Sequence, residues 1–295
     1  MRTRLIDLDS SIASQPPLEA LAQEGLAACI DLRASAPRLR ILAARSAMRD
    51  FAAAVEAAPQ PGRGAEITYY GSGDFHHLAA ALVARHDTPL TIIHVDNHPD
   101  WVTFPATHNC GAWVNRALEL AQVEKIITIG PCSDDLKWPQ LKSANLAAVR
   151  AGKLELFPWR AAASRLLGRD AMRWRNLADE DFDEFLDDLD TRIPTKAVYI
   201  SIDKDALCAS EAVTNWDQGD MRLAHVQALV ESLARSRRIL GIDVCGDYSP
   251  PRFSDPVRAA LAWFDHPADP RPDTAALAIN ARANAALLDT FRRVL

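Results

Sequence analysis

The sequence has few cysteines and no arrangement of them that would build a structural site. Its five cysteines, in 295 residues, are an odd number, and no two of them form a C-x-x-C pair. Disulfide-stabilised proteins of oxidising compartments carry paired cysteines, whereas scattered single cysteines are typical of reduced thiols. We therefore expect a cytoplasmic protein.

The chain also lacks long hydrophobic runs and clusters of basic residues. No apolar segment approaches the roughly 20 residues that span a bilayer, and the N-terminal MRTRLIDLDSSI contains no signal-peptide core or cleavage site. The net charge is −6, and the Lys and Arg residues are scattered, which argues against a polyanionic partner. We expect neither a membrane nor a nucleic acid as a partner.

The composition is that of a soluble globular protein with a large core. Hydrophobic residues make up 48% of the chain and charged residues 24%, both ordinary values for such proteins. No stretch is long or polar enough to serve as a linker between two domains. We therefore expect one domain over residues 1–295.

Apolar β-type runs alternate with helical patterns along most of the chain. Such alternation indicates βαβ units, which build a parallel sheet with helices on both faces. We predict an α/β fold of three layers, α/β/α, with a mostly parallel sheet. The predicted strands are 4–12, 65–70, 89–95, 123–130, 152–159, 196–203 and 237–245, and the predicted helices are 37–58, 77–86, 110–121, 179–193, 222–236, 255–264 and 273–295.

Acids and histidines follow four of these strands. In IIHVDNHPDW, residues 92–101, an apolar run is followed by Asp96, His98 and Asp100 at alternate positions. Extended backbone would point these three side chains to one side. Sites of parallel sheets lie beyond the carboxyl ends of the strands, so the four groups should converge. The other three groups lie at the ends of other predicted strands. They are Asp74, His76 and His77 after strand 65–70, Asp203 and Asp205 at the end of strand 196–203, and Asp243 and Asp247 at the end of strand 237–245.

Carboxylates and imidazoles in this number suit a pair of divalent metal ions that share bridging carboxylates. With no cysteine in the set, Mn²⁺ is the first choice, and Fe²⁺, Co²⁺, Ni²⁺ and Zn²⁺ are alternatives. A lone D-x-D is explained equally well by a helix N-cap. Three ionisable groups on one side of a buried strand end are not, because unpaired buried charge is costly.

Three segments resemble signatures of the ureohydrolase family, which comprises arginases and agmatinases. Where that family has Gly-Gly-Asp-His, Asp-Ala-His-x-Asp and Ser-x-Asp-x-Asp, this chain has GSGDFHH, DNHPD and SIDKD, in the same order. The resemblance implies a single-domain, arginase-like three-layer fold that often forms homo-oligomers. It also implies hydrolysis of a guanidino group to urea and an amine by a hydroxide between two Mn²⁺ ions.

The resemblance further implies roles for individual residues. Asp100 would accept and pass on a proton of the bridging water. His108, in THNCGAW, would act near the substrate as a general acid or base, or as a proton shuttle. His76 matches the family histidine better than the adjacent His77 does. The implied metal ligands are His76 with Asp100 on the first ion, His98 with Asp205 on the second, and Asp96 with Asp203 between them.

The chain departs from the family around the substrate. The position of the family's guanidinium-binding Glu is occupied by Gly246, and we expect the neighbouring Asp247 to take over that role. The tryptophans Trp101, Trp113 and Trp216 suggest an aromatic rim, with core packing as the alternative.

The segment that follows the third signature also differs from that of the family. Lys204 and the segment TNWDQG are compatible with a branch that acts on arginine side chains within peptides. The expected substrate is accordingly a guanidino small molecule or an arginine-containing peptide.

Two other functions remain open at this point. A deacetylase-like amide hydrolase of the same fold would use a single Zn²⁺ and the pair His76–His77. A non-catalytic metal-binding homologue would explain the glycine at position 246.

Overall fold

A computed structural model describes residues 1–59, 64–104, 107–165, 172–250, 253, 255–265 and 273–295. The strands within these residues are β1 (Arg2–Asp7), β2 (Ala27–Asp31), β3 (Leu42–Ala43), β4 (Glu66–Tyr69), β5 (Leu90–Val95), β6 (His108–Asn109), β7 (Val123–Ile129), β8 (Leu154–Phe157), β9 (Ala197–Asp203) and β10 (Arg238–Cys245). The α-helices are α1 (Pro16–Gln23), α2 (Ala36–Leu39), α3 (Arg45–Ala57), α4 (Ala79–Val83), α5 (Trp113–Leu118), α6 (Leu146–Arg150), α7 (Phe182–Arg192), α8 (Leu223–Ser236), α9 (Pro256–Asp265) and α10 (Asp273–Val294).

Eight of the described strands form one sheet in the order β2-β1-β4-β10-β9-β5-β7-β8, and every neighbouring pair is parallel. The central strands β5 and β9 are buried at every position, as expected for parallel strands covered on both faces. The four strands that carry the predicted acids and histidines, β4, β10, β9 and β5, are consecutive neighbours at the centre. Their carboxyl ends therefore lie side by side.

The two largest hydrophobic clusters of the described residues lie on opposite faces of the sheet. One includes apolar side chains of α1, α7, α8 and α10, and the other those of α2, α3, α4, α5 and α6. This arrangement confirms the predicted three-layer α/β/α fold with a parallel sheet. No helix among the described residues is both long and apolar enough to cross a bilayer.

The N-terminal region differs most from the prediction. The helix predicted over 37–58 is divided into α2, β3 and α3. Ile41 has a φ of 66°, and its amide donates to the Asp74 carbonyl at 2.8 Å, while Arg40 pairs with the Asp74 carboxylate. A tertiary contact therefore overrides the local helical preference here. Helix α1 and strand β2 were not predicted.

Candidate metal centre

The segment that follows β5 turns sharply. We predicted that extended backbone would point Asp96, His98 and Asp100 to one side, but β5 already ends at Val95. The carboxylate of Asp96 accepts the His98 amide at 2.6 Å, and Asp100 has a φ of 47°, in the left-handed region that non-glycine residues rarely adopt. The side chains do converge, but through a strained turn rather than through a continued strand.

His76 joins these residues from a 3₁₀-helix, Gly73–Leu78, that follows β4. Its Nδ1 atom lies 3.0 Å from Asp96 Oδ2 and 3.3 Å from Asp100 Oδ2. The same atom lies 3.6 Å from Asp203 Oδ2. The structure thus brings residues from three separate strand ends to one point.

The hydrogen bonds behind His76 determine which of its nitrogens faces the acids. Its Nε2 lies 2.9 Å from Ser201 Oγ, and Ser201 donates its hydroxyl hydrogen to Asp243 Oδ1 at 2.9 Å. Nε2 must therefore carry the hydrogen, which leaves the Nδ1 lone pair of the neutral ring directed at the cluster. The adjacent His77 belongs to none of the potential ligand groups among the described residues.

The end of β9 supplies two more carboxylates. Asp203 caps the 3₁₀-helix Lys204–Ala206 by accepting the Asp205 amide at 3.0 Å, and this turn directs Asp205 towards His98. Gly73 allows the close approach of the two loops, because a Cβ atom there would lie 2.5 Å from Asp203 Oδ2. The second glycine of GSGDFHH, Gly73, therefore has a steric reason to be glycine.

His98 lies among three carboxylates. Its Nδ1 lies 3.0 Å from Asp205 Oδ2 and 3.5 Å from Asp96 Oδ1, and its Nε2 lies 2.8 Å from Asp217 Oδ1. Asp96 is therefore shared by two neighbouring groups of potential ligands. These groups are His76, His94, Asp96 and Asp100 on one side, and Asp96, His98 and Asp205 on the other.

Because the acids of this cluster are buried close together, each negative charge makes it harder for the next carboxyl group to ionise. Burial and the negative charge of Asp96 raise the pKa of Asp100 to about 8, and burial with the charges of Asp203 and Asp96 raises the pKa of Asp205 well above its usual value. Burial also acts to raise the pKa of Asp96, but the neighbouring imidazoles of His76, His94 and His98 hold it well below the usual range. The acids can all ionise only if additional positive charge is present.

The donor set fits a pair of divalent cations. The Nδ1 atom of His76 is buried and makes no hydrogen bond within the described part of the chain, although three carboxylates lie around it. Carboxylate oxygen and imidazole nitrogen are suitable ligands for Mn²⁺ and borderline ions. Asp96, common to both groups, stands where a bridging ligand is needed.

His108 is not part of the cluster. It lies in β6, which pairs with β3, and it is partly exposed, whereas its neighbours Thr107 and Asn109 line the cavity beside the cluster. Burial and the positive charges of Arg116 and Arg45 lower the pKa of His108. His108 belongs to none of the potential ligand groups among the described residues, and it is not one of the residues that line the cavity.

Asp247 is engaged elsewhere. Its Oδ1 accepts hydrogen bonds from Lys204 Nζ at 2.7 Å and from Gln15 Nε2 at 2.7 Å, and Asn284 Nδ2 donates to the same oxygen at 3.2 Å. Asp247 is 1% exposed and is not among the residues that line the cavity. The expectation that it takes the place of the family's Glu is at odds with this geometry.

Gly246 has a structural reason to be glycine. Its φ is 86°, and a Cβ atom there would lie 2.3 Å from Asp203 Oδ1 and 2.5 Å from the Lys204 amide nitrogen. Any side chain with a Cβ atom would collide with these atoms. A guanidinium-binding acid therefore does not fit at position 246.

A cavity of about 250 Å³ adjoins the cluster. Its walls include the apolar side chains of Ile41, Val102 and Leu261, together with Trp216 and the carboxylate of Asp135. The predicted aromatic rim is therefore correct for Trp216. It is wrong for Trp101 and Trp113, which are 1% and 0% exposed and lie in the core.

Three residues of the site were missed by the sequence analysis. His94 Nε2 lies 2.8 Å from Asp96 Oδ2, Asp217 binds His98, and Cys245 Sγ lies 3.3 Å from Asp203 Oδ2. His94 could have been found by extending the alternation of Asp96 and His98 one step back. Asp217 and Cys245 carry no comparable signal, because loop packing and sheet register bring them to the site.

The fold and the cluster together define a class, a three-layer α/β protein with a candidate site for two divalent ions at the carboxyl edge of its sheet. Residues 72–262 match the model of the arginase family. The chain therefore belongs to the arginase family, as the signatures in the sequence predicted.

Individual relatives are distant. An uncharacterized protein of Thermotoga maritima is 25% identical over 187 residues, which cover 63% of this chain and 60% of that protein. This chain thus matches about three-fifths of the length of that relative.

Solved structures share the fold at low identity. A hypothetical agmatinase from Burkholderia thailandensis has a TM-score of 0.56 at 14% identity, covering 99% of this chain and 86% of the other. The arginase of Bacillus caldovelox has a TM-score of 0.56 at 16% identity, covering 97% and 98%. Proclavaminate amidino hydrolase from Streptomyces clavuligerus has a TM-score of 0.52 at 15% identity, covering 96% and 92%. These similarities describe the fold.

Proposed function

We propose that this protein is a metal-dependent hydrolase that splits a guanidino group into urea and an amine, carried by a single domain over residues 1–295. The observation that carries the proposal is the position of Asp96, shared by two adjoining groups of ligands. Mn²⁺ is the proposed ion. The proposed ligands are His76, Asp96 and Asp100 on one side and His98 and Asp205 on the other, with Asp203 as the second bridge.

Divalent ions held here would lower the pKa of water enough to supply hydroxide at neutral pH. The protein then has to manage the protons. We assign this task to Asp100, because its carboxylate lies inside the cluster, with Oδ2 at 3.3 Å from His76 Nδ1, and a carboxylate beside the reacting water can accept and release its proton. The indole of Trp113 donates to Asp100 Oδ2 at 2.8 Å and keeps this carboxylate oriented.

The lining of the cavity favours a guanidino substrate that has no free carboxylate. Its described lining residues include Asp135, Asp203 and Asp205 but no lysine or arginine, so none of them would neutralise the α-carboxylate of free arginine. The apolar wall formed by Ile41, Val102 and Leu261 suits an alkyl chain. We therefore propose guanidino amines, or arginine within a peptide, as substrates.

A urea-release assay tests the proposal. Protein loaded with Mn²⁺ would be offered free arginine, agmatine, guanidinobutyrate, guanidine and an arginine blocked at both its amino and carboxyl groups. We expect urea from agmatine or the blocked arginine at a higher kcat/KM than from free arginine. Two bound ions with no urea from any of these compounds would favour the non-catalytic homologue, and amide cleavage with a single Zn²⁺ would favour the deacetylase-like function.

The two adjacent histidines provide a matched pair of variants. His76 and His77 are each 1% exposed, so replacing either removes a similar buried volume. We expect His76→Ala to lose ion binding together with urea release, and His77→Ala to keep two ions per chain. Two bound ions in His76→Ala, measured by metal analysis after dialysis, would contradict the ligand assignment.

A further inference from the structure

Cys245, the last residue of β10, lies against the candidate metal centre. It is 0% exposed, and its thiol donates to Asp203 Oδ2 at a sulfur-to-oxygen distance of 3.3 Å. In the parallel ladder between β10 and β9, Cys245 is the register partner of Asp203. The backbone of two central strands therefore holds the sulfur beside a proposed bridging carboxylate.

The sulfur also lies near the imidazole of His76. His76, Asp203 and Cys245 each offer one potential ligand atom, and these three atoms lie within 4.8 Å of one another. Within the described residues, His76 Nδ1 makes no hydrogen bond although it is buried, and it lies 3.6 Å from Asp203 Oδ2. A nitrogen, an oxygen and a sulfur thus surround one point in the protein.

We propose that Cys245 binds, as a thiolate, the same ion that His76 and Asp203 hold. This inference rests on the proposed metal centre and adds a soft ligand to a set otherwise made of oxygen and nitrogen. The thiol S–H bond breaks when the sulfur–metal bond forms, and the proton leaves to solvent. A soft ligand favours Zn²⁺ or Co²⁺ relative to Mn²⁺ at this one position.

The competing role of Cys245 is that of a hydrogen-bond donor that merely orients Asp203. The two roles predict different neighbours for the ion. A ligand puts sulfur in direct contact with the metal, at about 2.3 Å for zinc, whereas a donor leaves only nitrogen and oxygen in contact with it.

X-ray absorption of the 295-residue chain loaded with Zn²⁺ distinguishes these roles without any substitution. We expect a sulfur scatterer in direct contact with zinc in addition to nitrogen and oxygen. Two zinc ions surrounded only by nitrogen and oxygen would overturn the role of Cys245 while leaving the proposed centre in place. A chain that binds no divalent ion would remove both.

A titration with Co²⁺ gives a second readout. We expect a sulfur-to-cobalt charge-transfer band in the wild-type protein and its loss in Cys245→Ser, with Co²⁺ affinity at one site lowered by about tenfold or more and Mn²⁺ affinity lowered less. Cys110→Ser is the matched control, because Cys110 is also buried and lines the cavity but belongs to none of the described ligand groups. The band should persist in this control. Equal bands in wild type and Cys245→Ser would refute the proposal.

Discussion

At the scale of single residues, the site depends on side chains that orient the candidate ligands. His98 illustrates this, because one ring nitrogen faces Asp205 and the other lies 2.8 Å from Asp217 Oδ1. Burial acts to raise the pKa of Asp217, but the hydrogen bond with His98 and its charge lower it, so Asp217 stays ionised. A carboxylate behind a metal-binding histidine fixes the ring orientation and makes the ligand more basic.

We therefore predict that Asp217→Asn lowers divalent-ion affinity at one of the two sites by about 10- to 100-fold, measured by calorimetric titration with Mn²⁺. Asp220→Asn is the control, because the side chains of Asp217 and Asp220 are 55% and 54% exposed, and Asp220 pairs with Arg160 instead. Unchanged affinity in Asp217→Asn would mean that the contact does not orient His98.

At the scale of elements, a buried ion pair connects the candidate site to the C-terminal helix. Lys204, between two proposed ligands, is 0% exposed, and its ammonium group lies 2.7 Å from Asp247 Oδ1 and 3.0 Å from Asn284 Oδ1. Asn284 lies on α10, so this network joins the end of β9 to α10. Removing one partner of a buried pair leaves the other charge without compensation.

We expect Lys204→Met, which keeps most of the side-chain volume, to lower the free energy of unfolding by about 3–5 kcal/mol in denaturant titrations. Arg293→Ala is the comparison, because Arg293 and Glu231 form an exposed ion pair between α10 and α8 that should contribute only about 0–1 kcal/mol. A similar loss in both variants would contradict a special role for the buried pair.

At the scale of the whole molecule, four carboxylates from two strand ends are buried at one edge of the sheet. Asp96, Asp100, Asp203 and Asp205 are all at most 6% exposed, so their mutual repulsion opposes folding unless cations are present. Folding and ion binding should therefore be coupled, since the unfolded chain does not hold these groups together.

We predict that a chelator lowers the melting temperature and that Mn²⁺ restores it. At a free ion concentration of 100 times Kd, one site adds about 2.7 kcal/mol to the free energy of unfolding. Differential scanning calorimetry checks the shift, and Asp203→Ala, which lacks a proposed bridge, should respond much less. Identical melting temperatures with chelator and with Mn²⁺ would contradict the coupling.

The sequence predicted strands well where apolar runs are long, and it predicted elements wrongly where tertiary contacts decide the local structure. The run before Asp96 predicted β5 within one residue, because a parallel strand buried on both faces must be apolar throughout. The split of the helix predicted over 37–58 followed instead from Arg40 and Ile41 binding Asp74, a residue distant in sequence. Similarly, Asp247 pairs with Lys204 and does not line the cavity. No local sequence pattern indicates this contact.

The sequence by itself determined the layered α/β architecture, the family and the set of acids and histidines at four strand ends, because these depend on local periodicity and residue order. Only the tertiary structure decided that β4, β10, β9 and β5 are neighbours, that His76 rather than His77 faces the acids, and that Cys245 and Asp217 join the site. The physical reason is that these contacts are set by sheet order and by turns with unusual backbone angles, which bring together residues far apart in the chain.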